Sequence, residues 1–268
     1  MVLLGSVGLM ASSAVLLENL THRYAGEIRP VLVIDKLEIE EGSFVALIGA
    51  SGVGKSTLLR LLDGRLRGWK GRASVLGHAL SARTAPPRSR RSEIGYVFQE
   101  FALVESASVR QNVLNGRLGS THSGWSLIGR FSDVDQSAAE QAMRDVGITK
   151  FAERRVDRLS GGQRQRVAIA RVLAQEPKLI LADEPLSNLD PVNSKIILEL
   201  LRECAANRGA TLIATSHQPR LIAPFVDRFI ALDGGSITFD GVPSAVDEGL
   251  LASIYNDDDG KDHSEAAE

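Results

Sequence analysis

Short apolar runs separated by turn residues characterise the first third of the chain. The runs are AVLLENL, VLVIDKLEI, SFVALIG, RASVLG and EIGYVF, and they lie between Ala14 and Phe98. Runs of this length, rich in Val, Ile and Leu and bounded by Gly, Asn or Asp, are typical of β-strands. The pattern therefore predicts a strand-rich N-terminal part.

The spacing of the apolar residues changes between Phe101 and Gln175. Here SVRQNVLNGRL, DQSAAEQAMRDVGI and QRQRVAIARVLAQ repeat apolar residues every three or four positions, as on one face of an α-helix. We predict a helical subdomain over about residues 101–172.

Buried-strand patterns return after the helical region. KLILAD, TLIATSH and RFIALDGGSITFDG are apolar runs, and a helical pattern, SKIILELLRECAANRG, separates the first two. Strand, helix and strand in this order form a right-handed crossover between parallel strands. The sequence therefore predicts an α/β fold with a mostly parallel sheet.

Both ends of the chain differ from the part between them. The first seventeen residues carry no charge, which is compatible with a signal peptide or a membrane anchor. However, no Lys or Arg precedes the apolar run and Gly and Ser interrupt it, so we favour a flexible extension over residues 1–13, or a true start at Met10. We expect the main domain at 14–248, and a segment at 249–268 that ends in a disordered acidic tail, NDDDGKDHSEAAE.

Composition excludes some functions and supports a folded domain. The 268 residues are 44% hydrophobic, which is enough for a sizeable core. The formal net charge of -2 gives no basic footprint, so we expect no nucleic-acid partner. The single cysteine, Cys204, lies in a helical pattern and is expected to be a buried, idle thiol. The basic run RSRR, at residues 88–91, is interpreted as a solvated loop.

A phosphate-binding loop follows the apolar run FVALI. The sequence GASGVGKST matches the pattern G-x-x-x-x-G-K-S/T, and the helical pattern TLLRLL comes after it. Glycines let backbone N–H groups turn towards phosphates, Lys55 supplies positive charge, and the Ser56 hydroxyl suits Mg²⁺. The residues predicted to bind the phosphates are Gly49, Ala50, Ser51, Gly52, Val53, Gly54, Lys55, Ser56 and Thr57.

A pair of carboxylates ends the apolar run LILA. Asp183 is placed at the end of a predicted strand, where it can hold Mg²⁺ through water, and Glu184 follows at once. We predict that Glu184 orients or deprotonates the attacking water, a role worth about 10² to 10⁴ in rate. A phosphate loop by itself does not separate kinases, GTPases and ATPases, so a small-molecule kinase stays an alternative at this point.

A second glycine-containing helix start, LSGGQ, begins at Leu159. Ser160, Gly161 and Gly162 precede a helical pattern, so they offer free N–H groups and about half a unit of positive charge to an anion. If two copies pack head to tail, this segment of each can close over the terminal phosphate held by the other.

These motifs together resemble the ATP-binding subunits of ABC transporters. LSGGQ is similar to that family's signature, residues 179–183 to its Walker B strand, and Ser187 to Asp190 to its D-loop. The resemblance implies a P-loop ATP-binding-cassette fold: a RecA-like parallel-sheet core with an N-terminal antiparallel β subdomain and an inserted helical subdomain. It also implies ATP and Mg²⁺ as cofactors.

The resemblance assigns further roles by position. Gln99 is similar to the Q-loop glutamine, a catalytic residue and Mg²⁺ ligand, and His217 to the switch histidine. With Glu184 and Lys55, they form the implied catalytic set, and Ser56 and Asp183 join Gln99 around the metal. Tyr24 resembles the aromatic residue that stacks on adenine; a packed core tyrosine is the alternative. The nucleotide contacts implied from the second copy are Ser160, Gly161, Gly162, Gln163 and Asp190.

Within that family, the helical region is similar to phosphonate-importer ATPases and their phosphite-importing relatives. FQEFALVESASVRQNVLNGRLG, WSLIGRFS and AMRDVGI carry this likeness, with an insertion between Gly119 and Asp135. It implies a peripheral subunit at the cytoplasmic face of the cell membrane, which energises an importer through a homodimer, transmembrane permease subunits and, indirectly, a solute-binding protein. The alternatives are a soluble cassette that remodels a non-transport complex and an importer for another solute.

Overall fold

The computed structural model describes residues 12–119, 131–187 and 189–255. Its strands are β1 Ser13–His22, β2 Leu32–Glu40, β3 Phe44–Ile48, β4 Lys70–Val75, β5 His78–Ala79, β6 Ile94–Val97, β7 Leu179–Ala182, β8 Thr211–Ser216, β9 Arg228–Asp233 and β10 Ser236–Gly241. Its helices are α1 Lys55–Leu62, α2 Arg88–Arg91, α3 Val109–Leu114, α4 Asp133–Asp145, α5 Gly161–Ala174, α6 Pro191–Ala206, α7 Pro219–Ile222 and α8 Glu248–Tyr255.

The larger sheet has six strands in the order β10-β9-β3-β8-β7-β6. The strands from β9 to β6 pair in parallel, and β10 adds an antiparallel hairpin at one edge. Every residue of β3, β6, β7 and β8 is buried, as expected for parallel strands with both faces covered. The predicted α/β fold with a mostly parallel sheet is thus confirmed.

The smaller sheet is antiparallel, with the strand order β2-β1-β4-β5. Its apolar face carries Val15, Leu17, Leu20 and other strand residues, and it packs with the leucines of α1 against one face of the larger sheet. Hydrophobic burial of this kind contributes about 25 cal/mol per Å² of apolar surface. The packing fixes the start of α1, which follows the phosphate loop, between the two sheets.

The opposite face of the larger sheet is covered by helices. A second hydrophobic core joins α5 and α6 to the helical region that contains α3 and α4. The 3₁₀ segment Asn115–Gly119 follows α3, and Arg117 in it forms a buried ion pair with Asp135 of α4. Residues 120–130 of the predicted insertion, including Trp125, lie outside the described residues, which resume at Phe131.

The two ends of the chain lie largely outside the described residues, and residues 88–91, which were predicted to form a loop, are helical. The strand β1 begins at Ser13, whereas residues 1–11 and the acidic tail lie outside the described residues. Residues 88–91 form the exposed helical turn α2 rather than a loop, because the prolines before it set its start and backbone N–H groups bond back to Pro87. No helix in the described ranges is long and apolar enough to cross a bilayer.

Candidate functional site

The phosphate loop joins the buried strand β3 to helix α1. Two of its glycines have backbone angles that other residues rarely adopt, with φ of +145° at Gly49 and +108° at Gly54. A Cβ at Gly49 would lie 2.3 Å from the carbonyl oxygen of Leu232, and one at Gly54 would lie 2.6 Å from that of Val31. The chain's own packing therefore requires glycine at both positions.

Lys55 lies at the centre of this loop. The side chain is 5% exposed, and its Nζ donates hydrogen bonds to the carbonyl oxygens of Gly49 at 2.8 Å and Ala50 at 2.6 Å. A buried ammonium group held inside a ring of backbone is a positive centre ready to face an anion. Phosphate binding by Lys55 stays a prediction.

Three hydroxyl groups hold the carboxylate of Asp183, which follows β7. Oδ1 of Asp183 accepts hydrogen bonds from Oγ of Ser56 at 2.9 Å and from Oγ1 of Thr215 at 3.1 Å, and Oδ2 accepts one from Oη of Tyr96 at 3.0 Å. Burial, and then the neighbouring Asp183 charge, raise the pKa of Tyr96 well above its ordinary value, so its phenol is a donor at neutral pH.

Glu184 occupies a strained backbone conformation. Its φ is +45°, a value that costs a non-glycine residue about 1–3 kcal/mol and is often found at functional sites. The backbone N–H of Glu184 donates to Oγ1 of Thr215 at 2.7 Å, and its Oε1 lies 2.7 Å from Nε2 of His217. These contacts fix the carboxylate beside the imidazole, an arrangement suited to orienting water and moving its proton.

A cavity of about 140 Å³ brings the motifs together. Its lining residues are Ser51, Gly52, Gly54, Lys55, Ser56, Thr57, Glu184 and His217. The positive centre and the glycine cradle fit the phosphates of a nucleotide, and Glu184 lies in the cavity wall while Asp183 bonds to Ser56 beside it. Within the described residues, no three His, Cys, Asp or Glu side chains could hold a metal by themselves. The Ser56 hydroxyl and the Asp183 carboxylate are oxygen donors of the kind that suits Mg²⁺, which takes few protein ligands and shares phosphate oxygens.

Tyr24 and Gln99 lie outside this cavity. Tyr24 is 37% exposed, and its Oη lies 3.2 Å from Oγ1 of Thr57 at the start of α1. Gln99 is exposed, follows β6 by two residues, and is not among the residues that line the cavity. Stacking of Tyr24 on adenine and metal contact by Gln99 stay predictions.

The LSGGQ residues begin α5 and do not line the cavity. The Ser160 hydroxyl accepts a hydrogen bond from the Gln163 backbone N–H, and the Gln163 side chain accepts one from the Ser160 N–H, forming a capping box. Gly161 is exposed and Gly162 partly exposed. Asp190 caps α6 through the N–H groups of Val192 and Asn193. The structure describes one chain, and the predicted contact of these residues with the nucleotide of a second copy stays a prediction.

Sequence reasoning missed Thr215 and Tyr96, although each contacts Asp183 directly. Thr215 belongs to the fully buried strand β8, and Tyr96 to the fully buried strand β6. A hydroxyl inside such a strand needs a hydrogen-bond partner. Since both strands lie next to β7 in the sheet, their positions pointed to Asp183, and this was the available signal.

Fold and cavity define a phosphate-loop nucleotide-binding domain. The family model described as ABC transporter matches residues 34–187. The "Phosphonates import ATP-binding protein PhnC" of Thiobacillus denitrificans is 42% identical over 91% of this chain and 93% of its own length. The protein of the same name from Wolinella succinogenes is 42% identical over 91% and 89%.

Solved structures agree with this likeness. The cbiO1 structure from Clostridium perfringens, part of the ABC transporter complex cbiONQ, has a TM-score of 0.77 at 29% identity and covers 90% of this chain and 93% of its own. A dimeric post-hydrolysis state of the ATP-binding cassette MJ0796, bound to ADP and Pi, has a TM-score of 0.73 at 29% identity, covering 85% and 98%. The chain belongs to the ABC transporter family.

Proposed function

We propose that this chain is the ATP-hydrolysing subunit of an ABC importer for phosphonates or related organophosphorus or phosphite anions. The observation that carries the ATPase assignment is the convergence of Lys55, Ser56, Glu184 and His217 on one small cavity, with Asp183 bonded to Ser56 at its edge. The cargo class rests on relatives named as phosphonate import proteins, which match nearly the full length of the chain.

Residues of the phosphate loop bind the triphosphate. The loop's N–H groups and Lys55 oppose its negative charge. Ser56 and Asp183 would hold Mg²⁺, which would supply further charge neutralisation. Tyr24 lies against the start of α1, where its exposed ring is available to adenine. Gln99, exposed after β6, would contribute its side-chain oxygen to the same metal.

Hydrolysis requires a water molecule held in line with the terminal phosphate. Glu184 accepts a proton from that water or orients it, and His217 fixes the carboxylate and faces the same cavity. A carboxylate base can serve a water or an organic hydroxyl, so the choice of water as acceptor is supported by the ABC transporter family match and its LSGGQ and His217 motifs. This distinguishes the proposed ATPase from a kinase.

A second copy completes each site. Ser160, Gly161, Gly162 and Gln163 do not line the cavity of their own chain, yet they form the N-terminal end of α5, and such a helix start is suited to binding an anion. Solved cassettes of similar fold are dimeric. We propose a head-to-tail dimer in which these residues and Asp190 of each copy close over the nucleotide of the other.

Transmembrane permease subunits are the proposed partners of the helical region. A groove of about 670 Å³ separates this region from the sheet core, and its basic lining residues are Arg65, Arg88, Arg91 and Arg171. A permease segment that carries acidic side chains fits its charge. The subunit would then lie peripherally at the cytoplasmic face of the membrane, and a solute-binding protein would act indirectly through the permease.

Substitution of the proposed catalytic carboxylate tests the ATPase. We expect Glu184→Gln to lower the rate of phosphate release from Mg-ATP by about 10² to 10⁴ and to accumulate an ATP-bound dimer, measured by sedimentation velocity. The matched control is Glu199→Gln, the same change at an exposed residue of α6, which should behave as wild type. A Glu184→Gln protein that stays monomeric at saturating ATP would contradict the shared site.

Growth on a defined phosphorus source tests the cargo. Deletion of the gene should abolish growth of the source organism on methylphosphonate as sole phosphorus source, and growth on phosphate should continue. Complementation with wild type, but not with Glu184→Gln, should restore growth. Normal growth of the deletion strain on methylphosphonate and phosphite would refute the cargo assignment and leave the ATPase assignment intact.

A further inference from the structure

We infer that Tyr96 is a positioning residue that holds the metal-binding carboxylate of Asp183 from the wall of the groove between the sheet core and the helical region. This inference rests on the proposed function. Tyr96 reaches Asp183 with its hydroxyl, and its ring belongs to the groove lining. One side chain therefore connects the proposed partner surface with the proposed metal site.

Tyr96 restricts the orientation of the Asp183 carboxylate. Oδ1 of Asp183 is shared between Ser56 and Thr215, on the side of the phosphate loop, while Oδ2 accepts the Tyr96 hydrogen bond at 3.0 Å. Rotation of a carboxylate about its last torsion is soft. A donor on Oδ2 restricts that rotation and keeps Oδ1 directed towards Ser56.

Arg65 and Phe98 hold the ring of Tyr96 in place. The guanidinium carbon of Arg65 lies 4.3 Å from the centroid of the Tyr96 ring, and the Phe98 ring centroid lies 4.5 Å away. Arg65 also pairs with Asp63 at the end of α1. A cation over an aromatic face is attracted by the ring, most strongly where water is excluded. The position of Arg65 therefore influences the position of the phenol.

Arg65 makes the buried Tyr96 ring accessible to the influence of a partner bound in the groove. Tyr96 is 9% exposed, whereas 43% of the Arg65 side chain is exposed. Tyr96, Arg65 and Phe98 all line the groove. A partner that binds an exposed guanidinium shifts its balance between Asp63 and the Tyr96 ring. That change reaches Asp183 through two side-chain contacts, without any movement of the backbone.

Removal of the hydroxyl alone separates this role from core packing. Tyr96→Phe keeps the buried ring and loses the hydrogen bond. In purified protein with the nonhydrolysable analogue AMP-PNP, we expect the dissociation constant for Mn²⁺, read by electron paramagnetic resonance, to rise by about tenfold. AMP-PNP binding in EDTA should stay within about twofold of wild type, because the phosphate loop is untouched.

A second pair of variants tests the connection to the groove. Arg65→Met should weaken Mn²⁺ binding in the same direction by about twofold to fivefold, because the cation over the ring is lost. Arg88→Met is the matched control, since Arg88 lines the same groove but bonds to the carbonyl oxygens of Leu118 and Gly119. It should bind Mn²⁺ as wild type does.

The outcomes are distinct. Wild-type Mn²⁺ affinity in Tyr96→Phe, in a preparation whose parent hydrolyses Mg-ATP, overturns the inference alone. Equal weakening by Arg65→Met and Arg88→Met overturns the connection, because general groove charge would explain it. An unaltered parent protein that fails to hydrolyse Mg-ATP overturns the proposed function instead. Arg65 is exposed, so its variant tests the connection even if Tyr96→Phe unfolds.

Discussion

Alanine substitutions at Gly161 and Gly49 should have opposite effects on the stability of the single chain and on dimer formation. The packing of the single chain requires Gly49, whereas the proposed dimer requires Gly161. An added Cβ at Gly161 meets no heavy atom within 4 Å, and its φ is outside the left-handed region. Replacing glycine by alanine in a helix stabilises it by about 0.5–1 kcal/mol, less at an end. We expect the free energy of unfolding of Gly161→Ala to stay unchanged or to rise by up to about 1 kcal/mol.

Gly49→Ala should destabilise the single chain. Its Cβ would lie 2.3 Å from the Leu232 carbonyl oxygen, at a φ of +145°. Overpacking costs about 1–3 kcal/mol, and a strained backbone costs a further 1–3 kcal/mol or so. The expected loss is about 2–6 kcal/mol, measured by urea unfolding.

In the proposed dimer, Gly161→Ala becomes the disruptive substitution, although it does not destabilise the single chain. If the backbone at Gly161 closes on a partner's phosphate, each dimer gains two obstructing methyl groups, at about 1–3 kcal/mol each. In the Glu184→Gln background, the dimer dissociation constant with ATP should then rise by about thirtyfold or more, measured by sedimentation velocity. Nucleotide binding to the monomer should not change. A Gly161→Ala protein that dimerises normally, or whose monomer is destabilised, would refute the reasoning.

Two further predictions concern stability and reactivity. Burial acts to raise the pKa of Asp135, but hydrogen bonds from Arg117 and Ser132 outweigh it and lower the pKa below 3.8. Arg117→Met should cost about 3–5 kcal/mol in urea unfolding near neutral pH, and this difference should shrink as pH falls below the ordinary aspartate pKa towards the lowered pKa of Asp135, where its carboxyl takes up a proton; a pH-independent difference would contradict the ion-pair explanation. Burial raises the pKa of Cys204, so a disulfide reagent should label it slowly in the native protein and rapidly in urea, whereas fast native labelling would contradict its burial.

The convergence of the proposed catalytic motifs was predictable from their positions after the predicted strands of a mostly parallel sheet. Lys55 and Ser56 follow β3, Asp183 and Glu184 follow β7, and His217 follows β8. The strands β3, β8 and β7 are adjacent and parallel, so their carboxyl ends meet at one edge, where ligands of open α/β sheets bind. Motif spacing and strand patterning are local signals, and a single sequence contains them.

Contacts between distant side chains were not predictable in this way. Tyr255 of α8 accepts a hydrogen bond from the Gly49 N–H at 3.4 Å, although the two residues are 206 positions apart. No periodic pattern marks such a pair, because each side chain looks ordinary within its own element. The described part of the predicted C-terminal segment belongs to α8, where Ile254 is buried and Tyr255 contacts the phosphate loop.

The LSGGQ residues show a different limit, which is that one chain does not contain the answer. Their capping box is complete, an added Cβ at Gly161 would meet no heavy atom within 4 Å, and one at Gly162 would meet only the Asn193 side chain at ordinary contact distance. Neither feature explains two glycines where alanine would favour the helix. A requirement that leaves no trace in the packing of its own chain has to come from a surface outside it. Spare glycines at an exposed helix start are therefore an argument for a partner, and the proposed partner is a second copy whose cavity lacks these N–H groups.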